Sequence, residues 1–314
     1  MQLAPVALFV YNRPSHTEKV LDALSANVLA KESVLFIFSD AAKTSKDIER
    51  VKNVRKVAKS YNGKFLKVNY VFSKKNKGMY TSLVDGMNFV FEKHAAVIFL
   101  EDDIVTSSRF LSFLNDCLKK YKDYENIFTV SAYNYPRKKL SLRYSENDSI
   151  FLTQRFSAWG FAIWKDRWNK IYWNINYLEN YLSDRKFLKR YKTTGIDKIR
   201  MLKNHAYKKN MSFGITLDFN MFINEAFSIH PFHTFTKNIG HDNTGQNCRN
   251  INESFYNDIS LNNDYLLSND PLHSDSVDLK FRGYIRKLYF RHLYLYYFKR
   301  FKSLFSFLNY KNYG

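Results

Sequence analysis

Glu101, Asp102 and Asp103 stand in a row directly behind four apolar residues in the stretch VIFLEDDIVTSS (97–108). Like charges side by side repel one another. A divalent cation that prefers hard oxygen ligands, Mg²⁺ or Mn²⁺, removes that repulsion. If the strand expected over 96–100 runs on, Glu101 and Asp103 project to one side and Asp102 to the other. The plainer reading is that the three cap a helix beginning near Ser107, or stand solvated in a loop.

Other apolar runs are also followed by polar residues. In YNRP (11–14), Asn12 and Arg13 suit a base or a phosphate, and Asp40, at the end of SVLFIFSD (33–40), can accept from a base N–H. The segment SKKNKGMYTS (73–82) sets Lys74, Lys75 and Lys77 before Gly78 and a helix start. That is the make-up of a phosphate cradle, and equally of a solvated lysine turn. Arginine, aspartate, lysine and an acidic cluster, in that order, suit a nucleoside diphosphate held with a divalent cation.

The later half offers a candidate base. Asp218 sits in GITLDFNMFI (214–223), and apolar neighbours raise a carboxylate towards the range useful for general base work. Aspartate is also a favoured helix N-cap. Glu225 and Asp242 come next. His241, behind Gly240, can ligate a metal or phosphate, or simply be an exposed loop histidine. In FSAWGFAIWKDRW (156–168), Trp159 and Trp164 can stack on the C–H face of a pyranose or fill the core. Trp159, beside Gly160, is the better candidate. Cys117 falls on an amphipathic helix and reads as structural, and nothing supports a cysteine nucleophile.

The elements that must position these residues alternate regularly. Strands are predicted over 4–10, 33–40, 65–72, 96–100 and 127–133, and helices over 16–29, 44–60, 78–93 and 107–121. Ser15 with Glu18 reads as a capping box for the first helix. Near-continuous apolar strands alternating with helices predict an α/β chain with a largely parallel sheet and helices on both faces. Ligands of such sheets lie at the C-terminal strand ends. From about 151 the pattern turns to Trp- and Tyr-rich segments with irregular loops. The expected organisation is 1–135 as a nucleotide-binding half, 136–278 as the acceptor-binding and catalytic half of the same domain, and 279–314 as a tail.

The chain has 314 residues, 18% aromatic, with a net charge of +20. Such a balance points to an anionic partner: nucleic acid, a membrane surface or a phosphorylated small molecule. Two cysteines give no disulfide framework, which fits a reducing cytoplasm. The start, MQLAPVALFVYNRP, lacks a basic segment before its short apolar run and reads as a core strand, not a signal peptide. No stretch approaches the ~18 uncharged apolar residues of a spanning helix. The tail 279–314 holds nine Lys/Arg and no Asp/Glu, interleaved with thirteen Phe/Tyr. It suits the interface of an anionic membrane, or a packed helix with a sticky surface. Peripheral attachment to the inner face of the cytoplasmic membrane is the expected location.

With these motifs in order, the sequence resembles the nucleotide-sugar-binding half of GT-A glycosyltransferases, above all N-acetylglucosaminyltransferase I and related bacterial sugar transferases. The likeness is carried by PVALFVYNRP, FIFSD, FLEDDIVTSSRFLSF and FTVSAYN, then by FSAWGFAIWKDRW and NIGHDNTGQNC (238–248), and spans roughly 4–250. It implies a metal-dependent inverting transfer of a sugar from a nucleotide donor to a glycan hydroxyl, and the tail would hold such an enzyme where surface polysaccharide or lipopolysaccharide is made. It implies that Arg13 and Asp40 contact the nucleoside, that Asp103 ligates Mn²⁺ or Mg²⁺, and that Glu101 and Asp102 support metal, ribose or donor sugar. Asp218, in TLDFNMF, would deprotonate the acceptor. The full expected set is Asp218 as base; Asn12, Arg13, Asp40, Lys77, Gly78, Glu101 and Asp102 for the donor; Asp103 and His241 for the metal; and Trp159, Gly160 and Asp242 for the acceptor.

Two competing classes use the same features. A nucleic-acid binder would exploit the basic and aromatic residues, although the acidic triplet and Asp40 would lie on the sheet edge it needs, and no nucleic-acid partner is expected. A non-catalytic, membrane-bound relative would keep the fold and transfer nothing.

Overall fold

The computed structural model describes residues 2–134, 149–209, 211–242 and 265–267, together with Gly283 and Arg286. An eight-stranded sheet runs in the order β3-β2-β1-β4-β8-β6-β9-β7. Its first half is parallel throughout: β1 (Val6–Val10) lies between β2 (Val34–Ser39) and β4 (Ala96–Glu101), and β3 (Lys67–Phe72) pairs with β2. β6 (Ile127–Ser131) is parallel to β9 (Phe227–Pro231). β8 (Phe161–Trp164) enters antiparallel between β4 and β6, and β7 (Ile150–Thr153) closes the far edge antiparallel to β9. The sheet is mixed and mostly parallel, as the sequence implies.

Strand periodicity divides the core into two layers. Val6, Leu8 and Val10 face one cluster, with Leu21 and Leu24 of α1 (Pro14–Ser25), Val54 of α2 (Ile48–Ser60) and Leu114 of α4 (Phe110–Lys120). Ala7 and Phe9 face the other, with Leu83 and Met87 of α3 (Met79–Phe91). Helices therefore cover both faces.

Beyond shifts of a few residues at element ends, two features differ from the reading of the sequence. The capping box of Ser15 and Glu18 is not formed. Helix α1 starts at Pro14, with Arg13 as its N-cap residue. Proline's fixed φ and missing N–H suit the first helical position, which leaves Ser15 inside the first turn. Past 150 the chain is more regular than expected. β7 and β8 are wholly buried, so neither shows an apolar–polar alternation, and four residues are too few to stand out. After β8 come α5 (Lys165–Trp168), α6 (Leu178–Ser183), α7 (Arg185–Thr193), α8 (Lys198–Ala206) and α9 (Phe213–Ile223). Helices α6 to α9 share a small core of their own around Tyr191, Leu202 and Phe219.

A second, two-stranded sheet pairs β5 (Ile104–Thr106) with β10 (Thr236–Asn238), antiparallel, with Asn238 opposite Ile104. It lays the segment after β10 against the acidic turn. Gly160, at φ +81°, has Thr236 Cγ2 at 2.9 Å and Phe110 Cε2 at 3.0 Å from where a Cβ would stand, so no side chain fits there.

On the α4 side the short segment 265–267 is clamped. Tyr265 donates to Asp116 Oδ2 at 2.5 Å and sets its ring edge against Phe113 and Phe235, while the Leu267 carbonyl accepts from Lys120 Nζ at 2.5 Å. The basic aromatic tail 279–314 lies outside the described residues, save Gly283 and Arg286, and so does Cys248. Among the described residues no helix is long and apolar enough to cross a membrane.

Candidate active site

A cavity of about 1140 Å³ opens at the C-terminal ends of β1, β2 and β4. Its wall takes in Asn12, Arg13, Asp40, Lys77 and Gly78, the whole acidic triplet, Trp159 and Asp218. The strand ends and the later helices thus meet in one place. Gly160, His241 and Asp242 are not among the wall residues. Gly160 packs behind it against Phe110 and Thr236, His241 meets the edge of the Trp159 ring at 5.6 Å, and Asp242 binds His16 Nε2 of α1 at 3.2 Å.

The triplet does not keep strand alternation. β4 ends at Glu101, the chain turns, and Arg13 Nη2 donates to both Asp102 Oδ1 and Asp103 Oδ2, the latter at 2.9 Å. One guanidinium therefore carries the counter-charge for two carboxylates. Burial alone would lower the Arg13 pKa, but Asp102 and Asp103 outweigh it and hold the group above its ordinary value. Glu101 is left out of this pairing: burial first, then the neighbouring Asp103 and Asp102, push it up to about 8. The segment after β10 closes on the turn, with Ile239 N donating to the Asp103 carbonyl at 2.8 Å. A Cβ on Gly240 would collide with the Asp103 carboxylate, so a glycine is needed where the two chains touch.

Asp40 organises the loop after β3. Its Oδ1 accepts from Ala41 N at 2.8 Å, and its Oδ2 accepts from Lys77 N at 3.1 Å and Gly78 N at 2.9 Å. Gly78, at φ +78°, is the N-cap residue of α3, a backbone state that glycine adopts without strain. Lys77 Nζ reaches along α3 to Asp85 at 2.7 Å, while Lys74 and Lys75 point into solvent.

Asp218 lies inside α9 and is buried. The N-cap is Ser212, whose Oγ accepts from Ile215 N at 3.3 Å, so the capping alternative for Asp218 falls away. The surroundings are not apolar either. Oδ1 accepts from Phe156 N at 2.9 Å, and Oδ2 accepts from Tyr191 Oη at 2.9 Å and Lys198 Nζ at 2.8 Å. Lys198 is itself 1% exposed and gives its other N–H bonds to the Gln154 carbonyl and Thr194 Oγ1, each at 3.0 Å. Burial draws the Lys198 ammonium down from its ordinary pKa, and Asp218 works against that. Nearby, Arg155 grips Asp197 with two bonds of 3.0 and 2.7 Å. Burial alone would raise Asp197, but Arg155 brings it to about 2. Glu225, the next candidate base, is exposed, pairs with Arg190 at 3.5 Å and is not on the cavity wall. Trp164 is core, its indole N–H on the Leu118 carbonyl.

Sequence reasoning missed Arg155, Lys198 and Arg200. The last two fall in a stretch already crowded with Lys and Arg, where nothing marks which cations turn inward.

His205 braces the start of α9. Its Nδ1 accepts from Ser212 N at 3.0 Å, and Nε2 lies 2.8 Å from Thr216 Oγ1, so the ring must be neutral with the proton on Nε2. Burial pushes it down to about 4, and likewise the buried His230. Because the folded values lie below the unfolded one, the unfolded chain takes up protons first as the pH drops. Stability is therefore expected to be full above about pH 6.5 and to fall towards pH 4, by at most roughly 3 kcal/mol for each histidine. Urea midpoints from pH 7.5 to 4.5 check this, and His205→Gln should remove its share of the slope.

No protein-family profile matches the chain, and no curated protein matches it. Among solved structures, the galactosyltransferase LgtC in complex with donor and acceptor sugar analogues overlays at 10% identity, covering 69% of this chain and 70% of that one, with a TM-score of 0.35. Glucosyl-3-phosphoglycerate synthase from Mycobacterium tuberculosis, with Mn²⁺, UDP and glucosyl-3-phosphoglycerate, overlays at 12% identity over 52% and 57%, with a TM-score of 0.33. A UDP-glucose pyrophosphorylase with UDP-glucose gives 12% identity over 73% and 90%, with a TM-score of 0.37. The fold rests on the sheet order and helical layers, which are those of the mixed, mostly parallel α/β architecture that the GT-A resemblance implies.

Proposed function

We propose that the chain is a metal-dependent, inverting glycosyltransferase that moves a sugar from a nucleoside diphosphate donor to a hydroxyl of a glycan acceptor. One observation carries this reading. The ends of β1, β2 and β4 bring Arg13, Asp40 and the acidic triplet into a single cavity, opposite one carboxylate, Asp218. Asn12, Arg13, Asp40, Lys77, Gly78, Glu101 and Asp102 would hold the donor. Trp159, backed by Gly160 and with Asp242 nearby, would face the acceptor.

The donor set suits Mn²⁺ or Mg²⁺. At nucleotide sites such ions take one or two carboxylates and fill the remaining positions with phosphate oxygens and water. Among the described residues no three His, Cys, Asp or Glu side chains are grouped to hold an ion unaided. Asp103 with Asp102 matches the two-carboxylate pattern, and His241 is the additional ligand proposed. Held there, the metal would neutralise the charge developing on the leaving diphosphate. Arg13 keeps the two carboxylates aimed into the cavity. Asp218 takes the proton of the acceptor hydroxyl, whose oxygen bonds to the anomeric carbon from the face opposite the leaving group. A single displacement inverts that carbon.

The tail would hold the enzyme on the anionic inner face of the cytoplasmic membrane, where lipid-linked glycans for surface polysaccharide or lipopolysaccharide are assembled. Thermal-shift measurement against a panel of nucleotide sugars, with and without Mn²⁺, tests the donor site. One nucleotide family at about a hundred times its Kd is expected to raise the Tm by about 5 °C, and to do so only with the metal present. A panel that leaves the Tm unmoved with Mn²⁺ present would remove the reading.

A further inference from the structure

The loops after β1, β2 and β3 line one end of the cavity, and side chains lace them to one another. Tyr11 Oη accepts from Lys43 N at 2.9 Å, and Asn12 Nδ2 donates to Asp47 Oδ1 at 2.8 Å, which ties the first loop to the second. Asn76 Nδ2 donates to the Ala41 carbonyl at 2.6 Å, and the Asp40 carboxylate collects the N–H groups of Ala41, Lys77 and Gly78. Those bonds tie the second loop to the third. The side chain that anchors the lacing stands behind the wall. Arg55 of α2 is half-buried against the ends of β2 and β3. Its Nε donates to Ser39 Oγ at 3.1 Å, and its Nη2 donates to the carbonyls of Ser39 at 3.3 Å, Asp40 at 3.2 Å and Ser73 at 2.9 Å. The guanidinium also lies 5.0 Å from the centre of the Phe72 ring. Among the described residues β3 pairs with β2 alone, so its end depends on such ties: the Ser73 N–H on the Ser39 carbonyl at 2.9 Å, and Arg55.

We propose that Arg55 is a positioning residue for recognition of the donor's base. This rests on the glycosyltransferase reading for the identity of the ligand. A base entering between the loops would meet Asp40 and the peptide groups of 73–78, and a wall already set in place binds without the cost of ordering it. Arg55 acts on both ends of that wall. It fixes the backbone of Asp40, from which the carboxylate reaches across, and that of Ser73, from which the third loop departs. Hydrogen bonds from a cation are stronger than neutral ones, and the planar fork addresses several acceptors in a way that a lysine ammonium does not match. The diphosphate and its metal would lie at the end of β4, with β1 standing between them and the brace. Loss of Arg55 should therefore be felt at the base and hardly at the diphosphate.

Calorimetric titration of the full chain with nucleoside diphosphates that differ in their base, each with Mn²⁺ at saturation, reads this division. The wild type is expected to prefer one base. Arg55→Met keeps a stem over Phe72 and removes the donors. It should weaken the preferred nucleotide about tenfold and the others by less than about twofold, so that the preference narrows. Arg55→Lys should lose only part of the preference, and it carries the comparison should Arg55→Met fail to fold. Equal weakening of every nucleotide would mark Arg55 as a brace of the fold alone and overturn the proposal. So would a preferred nucleotide that Arg55→Met binds as tightly as the wild type does, or a wild type that binds every base alike. A wild type that takes no nucleotide would overturn the donor reading itself, and this role of Arg55 with it.

Discussion

Asp103→Ala is expected to abolish sugar transfer and the metal dependence of nucleotide binding, with the fold intact. Asp103 shares Arg13 with Asp102, so the half-buried guanidinium keeps a partner when one carboxylate goes. What disappears is an oxygen aimed at the place where the diphosphate and its cation would meet. A metal acting as a Lewis acid on a leaving group contributes several kcal/mol to the transition state. Turnover should therefore fall by three orders of magnitude or so. The check is turnover, together with nucleotide titrations at varied Mn²⁺ and a circular dichroism melt. Wild-type turnover in this variant would remove the triplet from the metal site.

Asp218→Asn is expected to lower both turnover and stability, for separable reasons. Loss of a general base costs about 10²–10⁴ in rate. The same change strips Lys198 of its counter-charge inside the protein, and leaving one partner of a buried pair uncompensated costs roughly 3–5 kcal/mol. Replacing both, as Lys198→Met with Asp218→Leu, removes the stranded charge, so much of the stability should return while activity stays low. Urea denaturation beside turnover for the two single variants and the double one resolves the two effects. Recovered turnover in the double variant would mean that Asp218 is a brace for Phe156 and its loop, and that the proton goes elsewhere.

The donor side was legible in the sequence because β1, β2 and β4 are short apolar runs that end abruptly in polar residues. In a parallel sheet such ends must converge, so Arg13, Asp40 and Glu101 to Asp103 could be assigned to one edge without any knowledge of contacts. The far side was not legible for the opposite reason. Asp218 reads as an acid among apolar neighbours, but its environment is set by Lys198 and Tyr191, 20 and 27 residues away in the chain. Helix α9 is buried nearly all round and so offers no polar face by which its orientation could be deduced. Ser15 misled because its hydroxyl and Glu18 fit a cap as well as Pro14 fits a first turn. Only the packing of α1 chooses between them. The strands β7 and β8 escaped notice because burial on both faces erases the alternation that marks a strand.

The clamp on Tyr265 to Leu267 fixes the point from which the chain runs on towards the basic aromatic segment. Eleven residues, and so twelve residue steps, separate Leu267 from the first residue of the basic aromatic segment at 279. A polypeptide spans at most 3.3–3.6 Å per residue, so that leash is no longer than about 40 Å. Were the segment held on an anionic surface, as proposed, the α4 side of the fold would stay within that radius of it, and the cavity would search a shallow shell of substrate. A lengthened leash should widen the shell and dilute the cavity's effective concentration of surface-bound acceptor, without altering a single contact in the site.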